Sequence, residues 1–131
     1  MDAGRLKEVP LFADLDHKRR EQLAKWSDEV EVDAGKHIVI QGEFAHEFFV
    51  IEEGTADVTK DGEKINELGP GDWFGEIALE ETDRRTASVV ATSPMRLIVM
   101  FGRDFHEMEA EMPGVAREVR RVIEERLGRG S

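Results

Sequence analysis

The residues best suited to chemistry lie in one stretch, Phe74-Gly75-Glu76-Ile77-Ala78-Leu79, followed after an acidic connection by Arg84-Arg85-Thr86-Ala87-Ser88-Val89. Glycine lets a backbone approach a ligand closely, and a helical turn opening just after Gly75 would aim its first free N–H groups, around Ile77 and Ala78, outward. Such a turn suits an anion. Arg85 stands where a strand resumes, so its guanidinium could fork onto two oxygens of one phosphate. Glu76 cannot bind a phosphate, but it can accept from a neighbouring sugar hydroxyl. Donors for an anion beside an acceptor for a hydroxyl describe a ribose phosphate.

Other chemistries find little support. There is no cysteine, which removes disulfide frameworks, thiolate metal ligands and thiol catalysis together. His17, His37, His46 and His106 are scattered with no His-x-His pair, so a metal site in a cupin-like sheet is not expected. Ser27, Ser88, Ser93 and Ser131 have no context that would activate a hydroxyl. We therefore expect no catalysis, no metal and no cofactor. The net charge of −11 repels phosphate backbones at long range, so direct nucleic-acid binding is not expected either. A small phosphate ligand remains compatible, because a few fixed donors outweigh a distant net charge at hydrogen-bond range.

The elements that must position these residues fall in three parts within 131 residues, a length that suits a single domain. Residues 5–28 read as helical, with Leu6, Val9, Leu11, Phe12, Leu15, Leu23 and Trp26 apolar, Pro10 as a break, and Asp14 or Asp16 as a cap for the second piece. Residues 29–101 change to period two, with turn signals at Ala34-Gly35, Gln41-Gly42, Glu53-Gly54, Asp61-Gly62 and Gly69-Pro70-Gly71-Asp72. Asp61-Gly62 fits a tight hairpin. Short, closely spaced strands leave no room for crossover helices, so the expectation is mainly β with flanking helices: an antiparallel β-barrel or jelly roll. Residues 102–127 return to helical spacing, with Pro113 ending or redirecting a first helix and Val115, Val119, Val122, Ile123 and Leu127 forming one face of a last amphipathic helix. The longest apolar runs, at 48–51 and 97–101, fall far short of the ~18–20 residues of a membrane span, and the N-terminus has no apolar signal region. A cytoplasmic location is expected.

The stretch from Phe74 to Val89 resembles the phosphate-binding cassette of the cyclic nucleotide-binding domain family, whose pattern runs Phe-Gly-Glu, an apolar residue, Ala, Leu, a short loop, then Arg-Thr-Ala or Arg-Ala-Ala and Val. Arg85 stands eleven positions after Phe74, as in many members, and the similarity extends through Ala34-Gly35, Ile38, Gln41-Gly42-Glu43, residues 48–51 and Gly54. The resemblance implies that Glu76 accepts from the ribose 2′-hydroxyl, Gly75 lies against the ribose and Arg85 pairs with the cyclic phosphate. It further implies that Ala78 and Thr86 offer backbone N–H groups to that phosphate, and that Val58 and Leu68 wall the base. Arg126 or Leu127, with Ile123 behind, would form a lid from the last helix. Two positions depart from the family: Asn66 where an apolar residue is frequent near the base, and Arg84 in place of a common Pro. Glu80, Glu81 and Asp83 also crowd the cassette with negative charge.

The sequence therefore reads as a receptor for a cyclic nucleotide, cAMP first and cGMP as the alternative ligand, that relays binding through its C-terminal helix. A domain of the same fold that binds no nucleotide and acts only as a protein-interaction module is the competing reading. The last helix could pair with a copy of itself, dock on its own sheets or meet an effector protein. The chain could also be the regulatory piece of a longer protein, since it reaches Ser131 without the helix-turn-helix of a transcription factor.

Overall fold

Two short helices, eight strands and a third helix appear in the computed structural model, which describes residues 2–9, 12, 13, 15–75, 84–114, 116, 117, 120, 121 and 124. Helix α1 covers Ala3–Leu6 and α2 covers His17–Ala24. Asp16 caps α2, its carboxylate accepting from the Arg19 N–H at 2.8 Å. That bond satisfies one of the orphan donors at the helix start, so Asp16→Ala should lower stability by about 1 kcal/mol. Thermal unfolding checks this, with Asp16→Ser expected to restore the midpoint. Pro10 and Asp14 lie outside the described residues.

The strands are β1 (Asp28–Val32), β2 (His37–Val39), β3 (Glu47–Glu53), β4 (Ala56–Lys60), β5 (Glu63–Leu68), β6 (Trp73–Phe74), β7 (Ser88–Ala91) and β8 (Met95–Phe101). All pairings between them are antiparallel and give two four-stranded sheets, in the orders β1-β8-β3-β6 and β2-β7-β4-β5. The jelly-roll expectation holds, and the closed-barrel form of it does not: both sheets are open. Edge strands of two residues (β6) and three residues (β2) are too short to carry a continuous ladder from one sheet to the other. Asp61 and Gly62 both take positive φ, 52° and 82°, and close the β4–β5 hairpin as the dipeptide predicts.

The unbroken apolar runs in β3 and β8 have a physical reason. Phe49, Ile51, Leu97 and Val99 face the second sheet, while Phe48, Val50, Ile98 and Met100 face the helices. With both faces covered, polar alternation disappears. The helical layer contributes Leu6, Val9, Phe12, Leu15, Leu23, Phe105, Met108 and Ala116 to that second core. Helix α3 (Gly102–Glu111) follows β8 directly, with the Gly102 N–H donating to the His46 carbonyl at 2.9 Å.

Pro113 acts as expected. Met112 leaves helical geometry at φ −137° and ψ 66°, and residues 113, 114, 116, 117, 120, 121 and 124 are helical again. The residue before a proline is pushed out of the α region, whereas proline itself fits a first helical turn. Arg120 folds back across the break, donating Nη2 to Glu109 Oε1 at 2.7 Å and lying 5.0 Å over the Phe105 ring. Val115, Val119, Val122, Ile123 and Leu127, the expected apolar stripe, lie outside the described residues.

Candidate functional site

Strand β6 delivers the chain to Gly75. Phe74 pairs with Phe49 in the β3–β6 ladder, and their rings stack at 4.8 Å. Gly75 then turns with φ 81°, a conformation natural to glycine. A Cβ at this position would stand 2.6 Å from Arg85 Nη1 and 2.6 Å from the Glu47 carbonyl oxygen. The missing side chain is what allows a guanidinium to lie against the backbone.

Arg85 enters from the opposite side, ahead of β7. Its N–H donates to the Glu43 carbonyl at 2.7 Å, and its own carbonyl accepts from Gly42 N–H at 2.9 Å. Arg84 reinforces the same clamp, donating Nη1 to the Gly42 carbonyl at 2.7 Å and stacking 4.4 Å from the centre of the Phe44 ring. The Arg85 side chain donates Nη2 to the Glu47 carbonyl at 2.8 Å, and the residue is only 7% exposed. A guanidinium cannot shed its charge, so burial at this depth must be offset by hydrogen bonds and negative partners.

A cavity of about 140 Å³ opens beside it. Val39, Val58, Phe74 and Val89 supply apolar walls, and Gly75, Arg85, Thr86 and Ala87 form the other side. The structure thus brings together Val58, Gly75, Arg85 and Thr86 from the residues expected on sequence grounds. Leu68 does not line this cavity; it ends β5 opposite Ala56 and packs, half-buried, on the core between the sheets. Glu76, Ile77, Ala78, Arg126 and Leu127 lie outside the described residues. Phe74 is both core and wall.

Two contributors escaped the sequence reading. Val39 could have been found from inward alternation on β2, whereas Glu47 acts through its main-chain carbonyl and leaves no signature in residue type. Larger clefts, about 320 Å³ beside His46 and Arg103 and about 250 Å³ beside Arg5 and Glu52, do not set a buried cation against a positive-φ glycine.

The family model for the cyclic nucleotide-binding domain matches residues 29–111, which takes in both sheets and α3. The chain belongs to the cyclic nucleotide-binding domain family. It is 39% identical over 84 residues to the cAMP-dependent protein kinase regulatory subunit of Yarrowia lipolytica, a match covering 64% of this chain and 22% of that protein. This cyclic nucleotide-binding domain therefore spans under a quarter of the kinase regulatory subunit it matches. It superposes on the N-terminal domain of a transcriptional regulator from Streptomyces coelicolor A3(2) with a TM-score of 0.78 and 26% identity, covering 100% of this chain and 96% of that one. A regulatory subunit of a cAMP-independent protein kinase A from Trypanosoma brucei, solved as a mutant bound to cAMP, is similar at a TM-score of 0.77 and 26% identity, with 93% and 44% of the two chains covered. Among the described residues of the domain, no helix is long and apolar enough to cross a membrane, and no group of three or more His, Asp or Glu side chains could hold a metal.

Proposed function

We propose that this domain is a cAMP receptor that seats the cyclic phosphate on Arg85 and relays occupancy through its C-terminal helices. The observation that carries the reading is the buried Arg85 guanidinium held against Gly75 at one end of an apolar cavity. The phosphate takes the guanidinium and the backbone N–H groups of Ala78 and Thr86, with Ile77 next in sequence to Ala78. Gly75 lies against the ribose, and Glu76 accepts from its 2′-hydroxyl. Val58 flanks the base, and Arg126 or Leu127 closes over it.

The similarity to a cAMP-dependent kinase regulatory subunit supports cAMP as ligand and a regulatory, non-catalytic role in the cytoplasm, with an effector protein or a second copy as partner. The break at Met112 and Pro113 supplies a pivot for the relay, and the Arg120–Glu109 bond ties the two helical pieces together in this arrangement. A ligand shifts such an equilibrium only through its different affinity for the two positions of the helix, so the lid over the base is where coupling belongs.

Calorimetric titration of the full chain with cAMP and with cGMP tests the ligand. One saturable site with cAMP the tighter is expected. Tighter cGMP binding overturns the choice of nucleotide, and a folded chain that binds neither leaves the interaction-module reading. Hydrogen exchange tests the relay. Added cAMP should slow exchange in residues 113–127; protection confined to residues 74–89 would mean a pocket without a switch.

A further inference from the structure

On the helix-covered face of the first sheet, the apolar rows end in charge. Glu29 of β1 and Arg96 of β8 stand there beside Glu52 of β3, which is the extra residue where the β3–β8 register shifts between Ile51 and Glu53. A bulge of this kind re-aims side chains, and here both Glu52 and Glu53 reach the same cluster. Helix α1 lies over it. Arg5 donates Nη1 to Glu29 Oε2 at 2.9 Å and to Glu52 Oε2 at 3.4 Å. Arg96 pairs with Glu31 at 3.2 Å and Glu53 at 3.3 Å, with its Nε 3.9 Å from Glu29 Oε1. Glu8 and Val9, just after α1, and Pro70 and Gly71 of the turn before β6 line a cavity of about 250 Å³ beside Glu52.

Among the described residues, Arg5 and Arg96 therefore pair with four carboxylates here, those of Glu29, Glu31, Glu52 and Glu53. Glu52 is the enclosed one: its side chain is 12% exposed, and its Oε1 is buried with no hydrogen-bond partner among the described residues. A fully ionised cluster of this composition is undercompensated, and one bound proton relieves it.

We propose that Glu52, together with Glu29, is a proton-operated catch for the N-terminal helix: protonated, the pair lets α1 seat on the first sheet, and loss of the proton releases it. Burial, then a hydrogen bond with and repulsion from Glu29, push the Glu52 carboxyl up from 4.5 to about 7, with Arg5 and Arg96 opposing but not reversing the shift. The seated form holds its proton more tightly than an exposed carboxyl does, so seating is strongest in acid and is lost as pH rises through about 7. Release reaches the rest of the molecule by two routes. Leu6 of α1 shares its core with Phe105 and Met108 of α3. Ile51, adjacent to Glu52, exchanges backbone hydrogen bonds of 2.8 Å with Gly71 and Asp72, directly before β6. None of this depends on which nucleotide the cavity takes.

Hydrogen exchange of residues 3–9 in the intact chain, corrected for intrinsic rates, tests the catch. Between about pH 6 and pH 8 the opening of α1 should grow by up to tenfold in the wild type and stay level in Glu52→Gln. A level wild-type profile overturns the proposal, and so does an undiminished slope in Glu52→Gln, which would assign the titration to a histidine. Should Glu52→Gln fail to fold, Arg5→Gln decides: removing the opposing cation raises the Glu52 carboxyl further and must move the midpoint of release to higher pH, and an unmoved midpoint overturns the catch.

Discussion

Arg85→Ala is expected to weaken cAMP binding by about 30- to 1000-fold, or ~2–4 kcal/mol, in a chain that still folds. The size follows from where the group sits. A charge-assisted fork onto phosphate inside a desolvated pocket loses its electrostatic gain when truncated, and the bound anion is left facing apolar walls. The fold loses less. Among the described residues the Arg85 side chain donates to the Glu47 carbonyl, while the path of the chain is set by main-chain bonds to Gly42 and Glu43 that alanine keeps. One neutral acceptor left open corresponds to about 1 kcal/mol. Arg85→Lys keeps the charge and loses the planar fork, so it should fall between. Calorimetry with parallel thermal melts reads both quantities, and unchanged affinity in folded Arg85→Ala would remove the phosphate assignment.

Gly75→Val should damage fold and site together. The φ of 81° is strained for any β-branched residue, and the new Cβ would meet a backbone carbonyl and the Arg85 guanidinium at 2.6 Å. A flexible side-chain end can move aside; the Glu47 carbonyl is part of β3 and cannot without disturbing the ladder to β8. Left-handed strain and overpacking together amount to roughly 2–5 kcal/mol of stability. The guanidinium must also leave its seat, so affinity should fall at least as far as in Arg85→Ala. Chemical denaturation reads the first effect and titration of the folded fraction the second. A variant as stable and as tight-binding as wild type contradicts the close approach seen here.

The approach of Gly75 to Arg85 was legible in the sequence because sterics restrict it. Gly75 has to lack a side chain where the guanidinium lies against it, so residue type at a fixed spacing carried the information. Asp61-Gly62 was legible for the same reason, since few dipeptides accept positive φ twice. Period-two alternation located strands and faces, but it is silent on closure, which depends on how far edge strands such as β2 and β6 extend. The runs at 48–51 and 97–101 hid which residue faces which layer, because both layers are apolar. Glu29 and Glu52 read as ordinary acids. Only the β1-β8-β3 order and the shifted register bring them under Arg5, and no local pattern encodes a meeting across three strands.

The most direct test of the central claim is a crystal structure of the full chain grown with cAMP. In that crystal the cyclic phosphate is expected within hydrogen-bond distance of the Arg85 guanidinium, beside Gly75 and above the wall formed by Val58 and Val89. Nucleotide bound in another cleft, or bound here with no contact to the Arg85 guanidinium, would contradict this reading.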